Sequence, residues 1–496
     1  MKKILSLVLA VLCFPVINAQ YVGDALKYSQ EFPTLSARSL SMGGAFSSLG
    51  GDISSSIINP AGLGLYRKSE FVMSPYLGLS NTSADYLGET NTDNKYQFNL
   101  SNIGYVGTFL TNKEKGLVSA SYAIGYNRLN NFNNRSYIRG INSQTSLVDN
   151  FMQNIDGTDP ENLDAFTSRL AFDAYVIDTI PGTDFQYDTP VLLPVDQKRI
   201  LDTRGGTGEW NFGLGLNFSD IWYVGMNVGI NQLQYEQKMT HTEYDRATSQ
   251  TDFDHFIYTE NLDVNGTGIN FSLGTMVRLF KIMRIGASLH LPTYYRFEEA
   301  YKNSMYSVFK SGFIPSDQNG EIYSEGSFKY RLVTPLKLQG GASIQIGKMG
   351  IVSADVEYID YAGMKLRERD DFTDFQSDND EIKAVYRPVV NLKLGGEARF
   401  NSMFVRLGGG LYPSPYSSTE LNKNAGYGEV TAGIGYRSSS FFFDLGFSAL
   451  MHDEKYRLYS AYEYNPDPEA QPVYIDHIAN LSQNRFRFVA SLGFRF

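Results

Sequence analysis

The stretch Glu209–Asn231, EWNFGLGLNFSDIWYVGMNVGIN, decides the fold. Trp210, Phe212, Leu214, Leu216 and Phe218 fall on one side of an extended chain, and Glu209, Asn211, Gly213, Gly215 and Asn217 fall on the other. After Ser219-Asp220 the pattern resumes, with Trp222, Val224, Met226, Val228 and Ile230 opposite Tyr223, Gly225, Asn227, Gly229 and Asn231. Side chains alternate between faces along a strand, whereas a helical face repeats every three or four residues, so the stretch reads as two strands joined by a tight turn. A soluble sandwich would bury the apolar face against a second sheet and leave the polar face in water. A membrane barrel turns the apolar face to lipid and the polar, glycine-rich face to its lumen.

The connections favour the barrel. The same alternation marks Val352–Tyr358 and Val390–Phe400, and the whole pattern gives about fourteen strands, an even number as in bacterial barrels. They fall at roughly 70–83, 95–110, 116–128, 207–218, 221–238, 255–280, 282–302, 325–346, 349–365, 383–400, 402–413, 427–438, 440–458 and 484–496. Short connections (Thr111 to Lys115, Ser219-Asp220, Lys281, Gly347-Lys348, Asn401, Ser439) alternate with long ones rich in Asn, Asp and Glu. Tight turns on one side of the membrane and long polar loops on the other are what an outer-membrane barrel needs. Phe486, Phe488, Ala490, Leu492, Phe494 and Phe496 alternate with polar or small residues up to the last residue, like the terminal signal that barrel-assembly machinery reads. The expected fold is all-β: a transmembrane antiparallel barrel, probing outward with loops and holding a plug in its lumen.

Residues 1–19 read as a secretory signal peptide: Lys2 and Lys3, an apolar run to Ile17, and Ile17-Asn18-Ala19 as a small-residue cleavage site. Its loss removes Cys13, the only cysteine, which excludes disulfides and thiolate metal sites from the mature chain. The formal charge of −10 falls to −12 once Lys2 and Lys3 leave, and an acidic chain without a basic run is unsuited to nucleic acid. No later apolar run is long enough to cross a membrane as a helix. Catalytic and metal signatures are missing: there is no G-x-S-x-G, and the five histidines lack ligand spacing. The acidic run Ser377–Glu381 falls in an expected loop and lacks the pattern of a Ca²⁺ loop, so neither metal nor cofactor is expected.

Two segments stand apart from the strands. Ser36–Phe71, SARSLSMGGAFSSLGGDISSSIINPAGLGLYRKSEF, combines glycine pairs, many serines, Asp52 and an Asn59-Pro60-Ala61-Gly62 turn. Gly and Ser at this density bury little apolar area and cost backbone entropy, so the segment needs walls supplied by something else. It is expected to be a plug, with residues 20–69 ahead of a barrel at 70–496, and the Asn59-Pro60-Ala61-Gly62 turn, where Gly62 permits a left-handed residue, is expected to re-aim the chain from plug to wall. The longest insertion, 129–206, is expected on the extracellular side. Leu163, Phe166, Leu170, Ala174 and Ile177 there repeat like one helix face, which either packs on the loop's own core or offers a groove to a greasy ligand.

Met42–Leu63, MGGAFSSLGGDISSSIINPAGL, followed by Ser69-Glu70-Phe71, resembles the N-terminal hatch of the FadL-type outer-membrane transporters of long-chain fatty acids and hydrocarbons. Leu336–Tyr361, Ile285–Phe297 and Arg406–Tyr416 are similar to strand ends of the same family. The resemblance implies a fourteen-stranded barrel in a Gram-negative outer membrane and passive uptake of a hydrophobic molecule past a movable hatch. It implies gating by Gly43, Gly44, Phe46, Asp52, Asn59, Pro60, Ala61 and Gly62, and exit to the periplasm or sideways through the third strand near Gly125. Lys337, Lys393, Arg399 and Arg406 lie on the polar faces, where they either meet a ligand head group or pair with Glu397, Asp355 and Glu357. The expected partners are the hydrophobic ligand, the bilayer and the assembly machinery, with the protein a monomer. A second reading is a FadL-like barrel that serves as structural partner for exported or surface-anchored proteins.

Overall fold

A computed structural model of the chain describes residues 18–247, 251–315, 322–369, 374–462 and 474–496, with side chains from residue 21 onward. The expected signal peptide falls outside the described residues up to residue 17. The wall is a closed fourteen-stranded barrel. Its strands are β1 (Glu70–Tyr86), β2 (Glu89–Leu110), β3 (Leu117–Asn131, continuing as Asn134–Asn142), β4 (Val195–Phe218), β5 (Trp222–Asp245), β6 (Phe253–Leu279) and β7 (Met283–His290, continuing as Tyr294–Phe309). There follow β8 (Ile322–Val333 and Lys337–Ile346), β9 (Gly350–Asp360 and Lys365–Glu368), β10 (Pro388–Phe400), β11 (Met403–Tyr412), β12 (Tyr427–Arg437), β13 (Phe441–Tyr462) and β14 (Tyr474–Arg495). Sequence neighbours pair antiparallel, and β14 pairs with β1 from Arg495 opposite Glu70 to Asn480 opposite Asp85, so the wall has no first or last edge. Closure satisfies the backbone within the bilayer, where water cannot.

The outward face carries the apolar band read from the sequence. Trp210, Phe212, Trp222, Met226, Val228 and Ile230 are exposed, while Asn211, Asn217, Asn227 and Asn231 are buried in the lumen. Aromatic pairs border the band: Tyr126 with Trp210 and Phe218 with Trp222, each 5.5 Å between ring centres, and Tyr105 with Phe496 at 6.1 Å. Such girdles place amphipathic or bulky rings at the two interfaces. The short turns share the end of the barrel that holds Phe496. Ser219-Asp220 and Phe280-Lys281 adopt φ of 58° and 56°, and 50° and 61°, a left-handed pair that opens each three-residue connection and whose twist suits the strands.

At the opposite end the strands run farther than alternation indicated. β1 and β2 meet in a Leu87-Gly88 turn, where a longer loop was expected. Asn134–Asn142 pairs with Val195–Thr203, so the expected 129–206 insertion shrinks to residues 143–194. Residues 383–385 and the acidic run Ser377–Glu381 belong to a helix, Gln376–Val385, and not to a strand and a loop. Beyond the lipid a strand no longer needs one continuous apolar face, so the period-two signal fades before the strand does.

The insertion packs on a core that it shares with the outer ends of the wall strands. Of the expected face only Ser168–Asp173 is helical, and Leu163, Leu170, Ala174 and Ile177 are buried with Tyr86, Phe253, Phe256 and Tyr258 while Phe166 is half-buried, so no greasy groove is presented by that face. Glu243 of β5 fastens this cap: it accepts from the Leu147 amide at 2.8 Å, the Gln197 amide at 2.7 Å and the Ser146 hydroxyl, with His241 Nε2 at 2.9 Å. Glu243→Ala leaves these buried donors without an acceptor, at about 1–3 kcal/mol each. Residues 143–194 are then expected to be cut faster in limited proteolysis, while the barrel keeps its heat-modifiable mobility on gels.

Candidate functional site: the lumen

The lumen is filled from the turn end upward by the N-terminal segment. The lowest layer is the plug, residues 36–66, containing short helices α2 (Ala37–Ser41) and α3 (Ser55–Ile58) and a 3₁₀ turn over Pro60–Leu65. Such short helices do not persist alone and take their stability from contact with the wall. The contact is largely backbone on backbone. A Cβ on Gly225 would lie 2.2 Å from the Pro60 carbonyl carbon, on Gly286 2.0 Å from the Ser47 oxygen, on Gly395 2.3 Å from the Met42 oxygen and on Gly408 2.4 Å from the Gly43 nitrogen. These wall glycines are the ones that made the polar faces look empty in the sequence. Their missing side chains make room for the plug.

Polar groups fix the plug's register. The Ala37 amide donates to Ser491 Oγ at 2.8 Å, the Gly43 amide to Thr431 Oγ1 at 3.0 Å and the Ser47 amide to Asp355 at 2.7 Å. Asn59 is central: its Oδ1 accepts from the Ala61 amide at 3.1 Å, and its Nδ2 donates to the Ser47 carbonyl at 2.6 Å and the Thr275 carbonyl at 3.2 Å. Asp52 accepts from Ser36 Oγ at 2.8 Å and the Ser54 amide at 2.9 Å. Phe46 is buried beneath the Arg38 guanidinium, 5.2 Å from the ring centre. Gly43 and Gly44 adopt φ of 63° and 68° and serve as turn residues. Gly62 is not left-handed, contrary to the reading of the turn motif: a Cβ there would meet Gly50 Cα and Ser55 Oγ at 2.8 Å, so close approach demands the glycine. Nor does Asn59-Gly62 join plug to barrel. It docks against β4, β5 and β6, and the chain enters β1 only after Tyr66.

Three of the four expected lumen cations are inside, each neutralised. Arg406 is fully buried and donates to Glu397 and Asp444, both at 2.6 Å. Lys393 pairs with Glu357 at 3.1 Å, and Lys337 pairs with Glu31 of the N-terminal segment. Arg399 departs from expectation. It has the parity of a lumen residue but stands exposed at the turn end of β10, donating to the Asn401 carbonyl at 2.8 Å. Arg38, the plug's own cation, completes the Arg406 cluster by donating to Glu397 at 3.1 Å. It is the single basic residue of Ser36–Tyr66, an isolation by which the sequence could have marked it, although the sequence reading passed it over. Asp355 holds the plug amide at Ser47 and forms no pair with the expected cations.

Above the plug a space of about 90 Å³ is bordered by Gly43, Gly44, Ile57, Ile58, Lys337 and Lys393. Its roof is the chain before the plug. Residues 32–34 pair with β3, the Phe32 amide donating to the Leu129 carbonyl at 3.0 Å and the Thr34 amide to the Arg128 carbonyl at 3.1 Å. They fill a parting of the wall. β2 and β3 pair from Leu110 opposite Ser119 up to Asn102 opposite Asn127, and above that β2 continues with β1 alone. The ladder is intact at Gly125, which pairs with both Gly104 and Asn211, so the weak point is not there. Helix α1 (Asn18–Ser29) lies above, with Val22, Ala25, Leu26 and Tyr28 packed among Leu233, Tyr235, Val264, Tyr295, Phe297, Tyr330 and Leu332. Burial disfavours the Lys27 ammonium, but Asp24 at 2.6 Å and Tyr235 more than offset this, and its pKa is raised.

If the wall glycines hold the plug, Gly225→Leu displaces it. Protease cleavage within residues 36–66 is expected to rise while the barrel stays heat-modifiable. Gly428→Leu, at a position with nothing within 4 Å of the added carbon, is expected to leave the cleavage unchanged.

No protein-family model matches the chain, and no curated protein matches it. Solved structures do. A Pseudomonas aeruginosa FadL homologue is similar at 12% identity over 93% of this chain and 98% of that one, with a TM-score of 0.53. The Pseudomonas putida toluene transporter TodX is similar at 13% over 94% and 98%, with a TM-score of 0.53. A deltaS2 mutant of TodX, described as a monoaromatic hydrocarbon channel, aligns at 12% over 93% and 99%, with a TM-score of 0.54. At these identities the likeness is one of fold alone: a closed barrel built like those of the FadL homologue and TodX.

Proposed function

We propose that the protein is an outer-membrane channel of a Gram-negative bacterium for passive uptake of hydrophobic small molecules, long-chain fatty acids or similar compounds. The observation that supports this most is that the lumen above the plug is lined by apolar and aromatic side chains of the wall, among them Leu233, Tyr235, Val264, Tyr295, Phe297, Tyr330 and Leu332. A structural shell needs no such lining. The FadL-type fold agrees, since its solved members include a toluene transporter and a monoaromatic hydrocarbon channel.

In this reading the ligand enters through the cap, partitions into the apolar lumen and leaves after the N-terminal segment rearranges. Gly43, Gly44, Phe46, Asp52, Asn59, Pro60, Ala61 and Gly62 form the movable part, and their wall contacts are single hydrogen bonds and glycine-level approach. Each bond contributes only about 0.5–1.5 kcal/mol, so the plug yields piece by piece. The parting of β2 and β3 offers a sideways route once residues 32–34 leave β3. The head group of an acid would compete for Lys337 and Lys393 with Glu31 and Glu357.

Liposomes carrying the protein are expected to take up a long-chain fatty acid faster than empty ones, and equal rates contradict the proposal. Asn59→Ala is expected to change that rate with the barrel still folded. A stoichiometric protein recovered with the barrel from the outer membrane, together with no uptake, favours a role as structural partner.

A further inference from the structure

The lipid-facing side of the wall carries a charged cluster of its own, away from the lumen. β7, β8 and β9 bring three arginines into line: Arg296 lies directly opposite Arg331, and Arg331 directly opposite Arg367. All three are exposed, while Tyr295, Phe297, Tyr330, Leu332 and Leu366 beside them along the strands are buried. The alternation of a strand therefore sends the three guanidinium groups out of the barrel. Like charges directly opposite one another destabilise a sheet. Among the described residues none of the three has a carboxylate within ion-pair distance or a hydrogen-bond acceptor. Lys365, exposed on β9, adds a fourth cation to this face. The carboxylate one step farther out, Glu298, is taken by Lys329 at 3.1 Å, and Glu368, opposite the buried Tyr330, has the parity of the inner face.

The level of the row says what surrounds it. Trp210, Ile230, Ile269 and Tyr294 are exposed, pair one with the next, and end the apolar band. Two residues nearer the loop end of the same strands stand Gly208, Gln232, Thr267 and Arg296, again paired one with the next, and Arg128 of β3 lies opposite Gly208. This is the height at which the apolar core of a bilayer gives way to its head groups.

Between Arg128 and Arg296 the wall sinks into a depression of about 760 Å³, because Gly206 and Gly208 project no side chain there. Its floor offers Gln232, Gln234, Asn265 and Thr267, polar and uncharged. The Arg128 guanidinium lies over Gly206, 2.3 Å from where a Cβ would stand, and its Nε is buried without a partner. On the far side Arg369 donates to the Phe297 carbonyl at 3.4 Å and borders the same depression. From β3 to β7 the row covers about 19 Å of wall, at about 4.8 Å per strand spacing. That is more than one phosphate group can span. Arginine presents a planar fork that fits phosphate oxygens two at a time.

We propose that this face binds a lipid of the outer leaflet whose head group carries two or more phosphates. The phosphates lie against Arg296, Arg331 and Arg367 and over the depression closed by Arg128, and the acyl chains lie against Trp210, Ile230 and Ile269. The apolar surface that continues directly beneath the arginines favours a lipid over a soluble anion. The proposal does not rest on the uptake reading.

The test uses the full chain in detergent micelles and native mass spectrometry, with diphosphoryl lipid A, monophosphoryl lipid A and sodium phosphate as probes. The diphosphoryl lipid is expected to stay bound as a defined adduct at about a tenth of the concentration that the monophosphoryl lipid needs. Arg296→Gln, Arg331→Gln and Arg367→Gln combined are expected to raise that concentration about tenfold or more, with the barrel still heat-modifiable. Arg331→Gln alone, at the centre of the row, is expected to move it in the same direction. Lys281→Gln, at an exposed cation of the turn end, is expected to leave it unchanged. Equal binding of the two lipids, an unchanged concentration in either arginine variant, an equal loss in Lys281→Gln, or displacement of the lipid by equimolar phosphate overturns the proposal.

Discussion

Backbone-to-backbone contact between the plug and the glycines of the wall is the constraint on which the rest of the structure depends. Gly225, Gly286, Gly395 and Gly408 admit the carbonyls and amides of Met42, Gly43, Ser47 and Pro60 to distances that any side chain would forbid. The barrel could close around side chains alone only with a lumen filled from its own strands, as small barrels do. Here the wall is emptied of side chains on one level so that a separate segment fills it. Within that frame the Arg38–Glu397–Arg406–Asp444 cluster supplies register more than stability, because burying ions costs about as much as their pairing returns.

Much of the wall was legible because lipid imposes a strict rule. Where strands cross the bilayer, one face must be apolar, and Trp210–Phe218 and Trp222–Ile230 show that rule without exception. The outer extensions obey no such rule. Asn134–Asn142 and the first half of β4 therefore read as loop, and the two-residue turn at Leu87-Gly88 was hidden between strands whose polar ends gave no alternation. Arg399 shows the converse limit: parity assigns a side to a residue but says nothing of its depth, and at the strand end its side chain turns to solvent.

The contents of the lumen were legible in composition and not in detail. Glycine and serine density marked Ser36–Tyr66 as a filler, yet the purpose of each glycine depends on a neighbour hundreds of residues away. Gly62 was assigned to a turn and proved to be a point of close approach. Helix α1 was missed altogether, although Val22, Ala25, Leu26 and Ser29 repeat at helical spacing. A single short amphipathic repeat beside a predicted signal peptide has no partner in the sequence to confirm it. Its partners, Tyr235, Phe297 and Tyr330, come from three strands that only the closed barrel brings together.

The central claim is that an N-terminal segment, and not the wall or the outer cap, closes this barrel. Ion conductance across a planar bilayer measures that directly. The full chain is expected to show no steady conductance, and a chain lacking residues 20–66, with its strands intact, is expected to show a steady open current. A steady current through the full chain, or a closed barrel after the deletion, would contradict the account.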